Sequence, residues 1–211
     1  LVLPNCPQHI VAFYAVLRLG AIVVEHNPLY TERELRHQFE DHGASVAIVW
    51  DKVYSMVRGF PGDMGLHTVV AVDVTKSMPL ATRLALRLPI SKSRTARAAL
   101  TVAQPLKDAI EWPALVGSRR LRTAHPRPLL GDTAVLQYTS GTTGAPKGAV
   151  LSHFNLQANA KQSEAWVPGL ERGNEVFYGV LPMFHAYGLT LCLTVAMSIG
   201  ARLVLFPKFD V

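Results

Sequence analysis

Thr133-Ala134-Val135-Leu136-Gln137-Tyr138-Thr139-Ser140-Gly141-Thr142-Thr143-Gly144-Ala145-Pro146-Lys147-Gly148 joins an apolar run to a loop of glycines, hydroxyls and one ammonium. The run Thr133 to Tyr138 reads as a buried strand that delivers the loop. Gly141, Gly144 and Gly148 lack a Cβ, so their backbone can approach a ligand closely and aim N–H groups at anionic oxygens. Thr139, Ser140, Thr142 and Thr143 add hydroxyl donors, and Lys147 adds a mobile charge. A Gly/Ser/Thr surface loop has the same composition. The strand placed directly before it favours a phosphate cradle, because strand followed by glycine loop is how folds present such sites.

Outward from this stretch, helix and strand alternate. Cys6 to Leu19 is apolar on most faces, with Pro7 in its first turn and Gly20 as its stop. Ala21 to Val24 is a short strand. Thr31 and Glu34 form a capping box for a helix that carries Leu35 and Phe39 and ends at Gly43. Ser45 to Trp50 and Thr68 to Val74 are strands, with a short helix between them for which Asp51 is the expected cap. On the far side, a helix runs from about Phe154 to Ala165. Val176 to Leu181, Leu189 to Ile199 and Ala201 to Phe206 make a strand, helix, strand unit. Continuous rather than alternating hydrophobicity marks parallel strands covered on both faces. The expected fold is α/β, with mostly parallel sheets, helices on both faces and a doubly wound order.

The 211 residues are 49% hydrophobic and 17% charged, as in globular proteins. The net charge of +6 is unevenly spread. Val74 to Pro128 carries eleven Lys/Arg against Asp108 and Glu111, a net +9 that leaves −3 elsewhere. A local basic region argues against a general nucleic-acid binder. Within it, Leu80, Leu84, Leu86 and Leu88 lie among Arg83, Arg87, Lys92, Arg94 and Arg97, with no acid from Val74 to Lys107. The leucines either pack on the main body or, with the arginines, meet an anionic membrane surface over residues 76–107. Ser118 to Pro128 reads as an exposed linker.

Val176 to Ala201 contains no charged residue. Pro182, His185 and Gly188 divide it into pieces too short to span a bilayer. Cys6 and Cys192 form no disulfide framework, which suits a reducing, cytoplasmic setting. The histidines other than His185 have no metal-ligand spacing. The sequence begins at Leu1 and stops just after a strand-like run, so the chain is expected to be part of something longer.

The glycine loop is not of Walker type, because Pro146 precedes Lys147 and Gly148 follows it. Its eleven residues from Tyr138 to Gly148 instead resemble the phosphate signature of the acyl-adenylate-forming, AMP-binding superfamily, and within it the long- and medium-chain fatty acid–CoA ligases. Asn27-Pro28-Leu29-Tyr30-Thr31-Glu32-Arg33-Glu34-Leu35 and Leu181-Pro182-Met183-Phe184-His185-Ala186-Tyr187-Gly188 resemble two more of its stretches. The resemblance implies an N-terminal portion of such an enzyme, with residues 1–75 as one α/β unit, 76–128 as a basic insertion and 129–211 as the phosphate-loop and acyl-pocket unit. It implies MgATP, a fatty acid and coenzyme A as reactants, joined through an acyl-adenylate. Thr139, Ser140, Gly141, Thr142, Thr143, Gly144 and Lys147 would hold phosphates, with a hydroxyl of Ser140 or Thr142 reaching Mg²⁺. Lys147 and His185 would serve catalysis, and Phe184, His185, Tyr187 and Gly188 the substrate. His185 also fits a plain loop histidine satisfied by backbone groups. The family's Tyr-Gly-x-Thr-Glu and Thr-Gly-Asp elements and its small C-terminal domain do not occur here, so this chain alone is expected to be inactive. A fatty acyl-AMP ligase that loads a carrier protein, and a non-catalytic nucleotide- or lipid-binding module, are the other readings.

Overall fold

The computed structural model describes residues 1–139 and 146–207. In chain order, α1 (Pro7–Arg18), β1 (Val23–Glu25), α2 (Glu32–His42), β2 (Val46–Trp50), α3 (Asp51–Arg58) and β3 (Thr68–Val72) come first. There follow α4 (Leu80–Ala85), α5 (Ser91–Leu100), β4 (Ile110–Glu111) and α6 (Trp112–Val116). The last third holds β5 (Thr133–Thr139), β6 (Lys147–Ser152), α7 (His153–Trp166), β7 (Val176–Gly179), a helical run and β8 (Arg202–Leu205). That run passes from α8 (Ala186–Gly188) through a π-helical stretch, Leu189–Val195, into α9 (Ala196–Ser198).

The chain divides into two compact units. The first contains Leu3–Asn27 and Leu121–Val211. Its central strand β5 pairs in parallel with β1, Val23 opposite Val135, and antiparallel with β6, Thr139 opposite Lys147. β7 and β8 run in parallel, Val176 opposite Arg202, with the helical run as their crossover. Phe13 and Leu17, one turn apart on α1, meet Val23, Ala134, Val135, Met183, Leu189 and Leu193 in one core. Inside it His9 Nε2 lies 3.0 Å from both carboxylate oxygens of Glu25, with both side chains fully buried. His9 Nδ1 lies 3.3 Å from the Pro4 carbonyl. Each polar atom of the pair has a partner, which is the condition for tolerating such burial.

The second unit contains Val2 and Pro28–Arg120. β2, β3 and β4 are parallel and in that order, with Val2 bridging to Val49 on the outer side of β2. Leu35, Phe39, Val49, Val57 and Val69 form its core. The capping box of α2 is present: Glu34 N–H donates to Thr31 Oγ1 at 3.4 Å and Thr31 N–H donates to Glu34 Oε2 at 2.8 Å. Gly43 ends the helix at φ 61°, a conformation that favours glycine.

As expected, the strands are mostly parallel, and they lie in three small sheets. Three expectations need correction. β6 was not expected at all. Asp51 does not cap α3; its Oδ2 accepts from the Thr101 hydroxyl and from Val102 N–H at 3.2 Å, and burial pushes its carboxyl pKa up. The leucines of α4 do not pack on the body, since neither α4 nor α5 contains a buried residue. Among the described residues no helix is long and apolar enough to cross a membrane.

His42, at the end of α2, makes this unit acid-sensitive. Its Nδ1 accepts from Ala44 N–H at 3.0 Å, and burial pulls its pKa down to about 4. The unfolded chain takes up the proton near the ordinary value of about 6.5. The stabilisation is therefore complete above that value and is lost as pH falls from about 6.5 towards 4. Urea midpoints measured across this range should decline, and His42→Asn, which keeps a non-titrating acceptor, should flatten the decline.

Candidate active site

The strands on either side of the glycine loop pair as a hairpin stem. β5 enters the loop and β6 leaves it, and the last pair of the ladder is Thr139 opposite Lys147. Thr139 Oγ1 donates to the Lys147 carbonyl at 3.4 Å, and both side chains are exposed. One pair earlier, Tyr138 faces Gly148; a Cβ on Gly148 would lie 3.5–3.8 Å from the Tyr138 ring. The same ring stacks on His26 at 6.0 Å between centroids. The stem is therefore fixed by ladder bonds and by an aromatic ring laid over glycine backbone. Ser140, Gly141, Thr142, Thr143 and Gly144 lie outside the described residues.

The second predicted group sits on the loop between β7 and α8. Asn5 Nδ2 donates to the Gly179 carbonyl at 2.9 Å and to the Leu181 carbonyl at 2.8 Å, while Met183 N–H donates to Asn5 Oδ1 at 2.8 Å. One buried amide thus satisfies three backbone groups that the irregular loop leaves unpaired. Gln137, buried in β5, donates from Nε2 to the Phe184 carbonyl at 2.9 Å. The stem of the glycine loop and the loop before His185 are tied together by this bond.

Gly188 sets the approach of the helix that follows. A Cβ there would come within 2.0 Å of the Pro182 carbonyl oxygen, so only glycine permits this spacing. The π-helical register begins at the next residue, a feature often found where a helix is shaped for function. The Tyr14 hydroxyl donates to the carbonyl of Leu193 inside that stretch. Phe184 is half-buried, and His185 and Tyr187 are exposed, Tyr187 at 60%. The His185 backbone N–H donates to Pro182 O at 3.1 Å, whereas its imidazole makes no hydrogen bond among the described residues.

Sequence reasoning did not single out Asn5, Gln137 or the His9–Glu25 pair. Gln137 carried a signal, being a lone polar residue within an apolar strand. Asn5 carried none. Neither cysteine is poised as a nucleophile: burial pushes the Cys6 thiol up to about 12 and raises that of Cys192. A cavity of about 450 Å³ lies between α1, α7 and α9, lined by Phe13, Leu17, Leu156, Ala160 and Met197 with His153. Among the described residues, none of the sequence-predicted site residues lines it. No cluster of three His, Cys, Asp or Glu side chains among the described residues could hold a metal ion.

The family described as AMP-binding enzyme matches residues 1–211. The chain belongs to that family. It is 37% identical to the long-chain-fatty-acid–CoA ligase of Bacillus subtilis over 99% of its length, and 36% identical to that of Yersinia pestis over 99%. It spans about 37% of the length of either relative. Among solved structures, it matches an anthranilate CoA ligase in complex with anthranoyl-AMP at a TM-score of 0.76 and 21% identity, covering 99% of this chain and 35% of that one. A long-chain-fatty-acid-CoA ligase from Archaeoglobus fulgidus matches at 0.65 and 24% identity, with 99% and 35% covered. These likenesses agree on the α/β fold.

Within this AMP-binding fold the close contact at Gly188 is open to direct test. Gly188→Ala must push the helix off the Pro182 carbonyl, so thermal stability should fall and amide exchange from Met183 to Leu189 should quicken. A variant with unchanged melting and exchange would show that the contact is slack.

Proposed function

We propose that this chain supplies the phosphate-handling and carboxylate-positioning part of an ATP-dependent fatty acid–CoA ligase. The observation that supports it most is the Gln137 bond to the Phe184 carbonyl, which holds the loop before His185 against the stem that carries Lys147. In the proposed first half-reaction, a fatty-acid carboxylate oxygen attacks the α-phosphorus of ATP. The bond to the bridging oxygen breaks, and pyrophosphate leaves with the electron pair. The work is charge stabilisation. Lys147 and the hydroxyls and amides of Thr139, Ser140, Gly141, Thr142, Thr143 and Gly144 hold the β- and γ-phosphates as charge builds on them. In the second half-reaction, the coenzyme A sulfur attacks the acyl carbonyl carbon and AMP departs.

His185, with an imidazole that makes no hydrogen bond among the described residues, orients the carboxylate, and Phe184, Tyr187 and the close turn at Gly188 form the wall beside it. Mg²⁺ would arrive with ATP, with phosphate oxygens and water supplying most of its coordination, which suits the lack of a carboxylate cluster among the described residues. The elements that hold ribose and complete the thioester belong to the remaining length seen in the relatives, so the proposed enzyme works as the longer protein and this chain alone is inactive. The proposed enzyme acts in the cytoplasm, without nucleic acid.

In the full-length protein, Lys147→Ala and the Thr142→Ala/Thr143→Ala double variant should each slow fatty-acid-dependent ATP–pyrophosphate exchange by about 10²-fold or more. Exchange near the wild-type rate would remove the loop from the mechanism. His185→Ala should raise the KM for the fatty acid more than the KM for ATP; equal effects would refute the positioning role. Coenzyme A dependence of product release separates this enzyme from one that loads a carrier protein.

A further inference from the structure

The basic segment of the second unit has no part in the chemistry above, and its side chains are arranged for another task. Leu80, Leu84 and Leu88 follow one another at intervals of four, and the helical turn continues past α4 through Arg87 N–H to Leu84 O and Leu88 N–H to Ala85 O. Spacing of four keeps them on one face. They are 67%, 56% and 51% exposed, and Ile90, beyond Pro89, is 52% exposed. Arg83 and Arg87 repeat at the same interval beside them, and Lys92, Arg94 and Arg97 follow on α5. None of these five cations forms an ion pair among the described residues, whereas Lys76 is held by Glu111 at 2.7 Å.

The segment is also anchored. Trp50 Nε1 donates to the Leu100 carbonyl at 2.8 Å, and Lys52 Nζ donates to those of Ala98 and Ala99 at 2.8 and 3.3 Å. Asp51 holds Thr101 and Val102. The C-terminal end of α5 is thereby fixed to β2 and α3, while the apolar row is exposed, with Arg87, Lys92, Arg94 and Arg97 exposed, Arg83 half-buried and Arg97 also lining a cleft with Asp73 and Glu111.

We propose that residues 80–97 form a docking surface for an anionic lipid bilayer. The leucine row and Ile90 enter the boundary between headgroups and acyl chains, and the guanidinium groups hold lipid phosphates. Charge complementarity favours this occupant, since no acid lies between Val74 and Lys107 to repel the phosphates. An acidic protein would account for the cations and leave the exposed leucine row unexplained. The inference does not rest on the ligase reading.

The test is co-sedimentation of the full-length protein with vesicles of phosphatidylglycerol and phosphatidylcholine in equal parts, against phosphatidylcholine alone. Binding is expected to the mixed vesicles only, and to weaken with salt. Replacing Arg83, Arg87, Arg94 and Arg97 together by Gln should weaken it about a hundredfold or more, at about fivefold per cation. Replacing Leu80, Leu84 and Leu88 together by Ser should weaken it at least about tenfold while leaving the salt dependence. A charge-matched control, Arg119, Arg120, Arg122 and Arg127 to Gln, should bind far better than the first variant. Leu84→Trp gives a second readout that does not depend on the folding of the leucine variant: added fluorescence that brominated phosphatidylglycerol quenches. No binding to mixed vesicles, equal binding to neutral ones, an equal loss in the control, or no quenching of the Leu84→Trp signal would each overturn the proposal.

Discussion

The arrangement of the first unit depends on one side-chain hydrogen bond, from Gln137 in β5 to the carbonyl of Phe184. Gln137 lies two residues before Thr139, on the same face of the strand, so roughly 7 Å of backbone separates it from the end of the hairpin stem. Its partner is the residue before His185. A bond between two irregular surface segments would contribute little. Here the donor is buried, and leaving the carbonyl unpaired would cost about 1–3 kcal/mol. The bond therefore fixes geometry more than it adds stability.

Asn5 and Gly188 complete the constraint. Asn5 supplies donors and an acceptor to a loop that cannot make its own ladder, at Gly179, Leu181 and Met183. Gly188 removes the atom that would keep the helix from closing on Pro182. The π-helical stretch then carries the chain away, its Leu193 carbonyl taken by Tyr14 from α1. The loop before His185 is short of regular structure and is held by Asn5, by Gln137 and by the close approach at Gly188. Its rigidity comes from specific partners rather than from a sheet.

Much of the framework was legible in the sequence because its signals are local. The Thr31–Glu34 capping box, Gly43 beyond α2 and the apolar runs of β2, β3 and β5 each declare themselves within a few residues. What stayed hidden depends on contacts distant in the chain. β6 is an edge strand with Val150 64% exposed, and pairing with β5 makes it a strand where propensity alone does not. Asp51 looked like a helix cap because its neighbours suit a cap, yet it is drawn to Thr101, fifty residues on. Asn5 and Gln137 find their partners 178 and 47 residues away. The glycine loop and His185 were visible by residue type, and the bond that joins their supports was not.

The two units present different chemistry. The first gathers the β5–β6 hairpin stem and the His185 loop around its core, and also holds the buried His9–Glu25 pair. The second carries the basic, leucine-studded segment on a parallel sheet. Joining the Lys147 stem and the His185 loop into one adenylate-forming site is the central claim. It is tested most directly by a crystal structure of the full-length protein with a non-hydrolysable acyl-adenylate analogue. The account predicts the acyl–phosphate linkage beside His185, near the end of the β5–β6 hairpin, with the Gln137 to Phe184 bond intact. An analogue bound away from either element, or a complex in which that bond is broken, would contradict it.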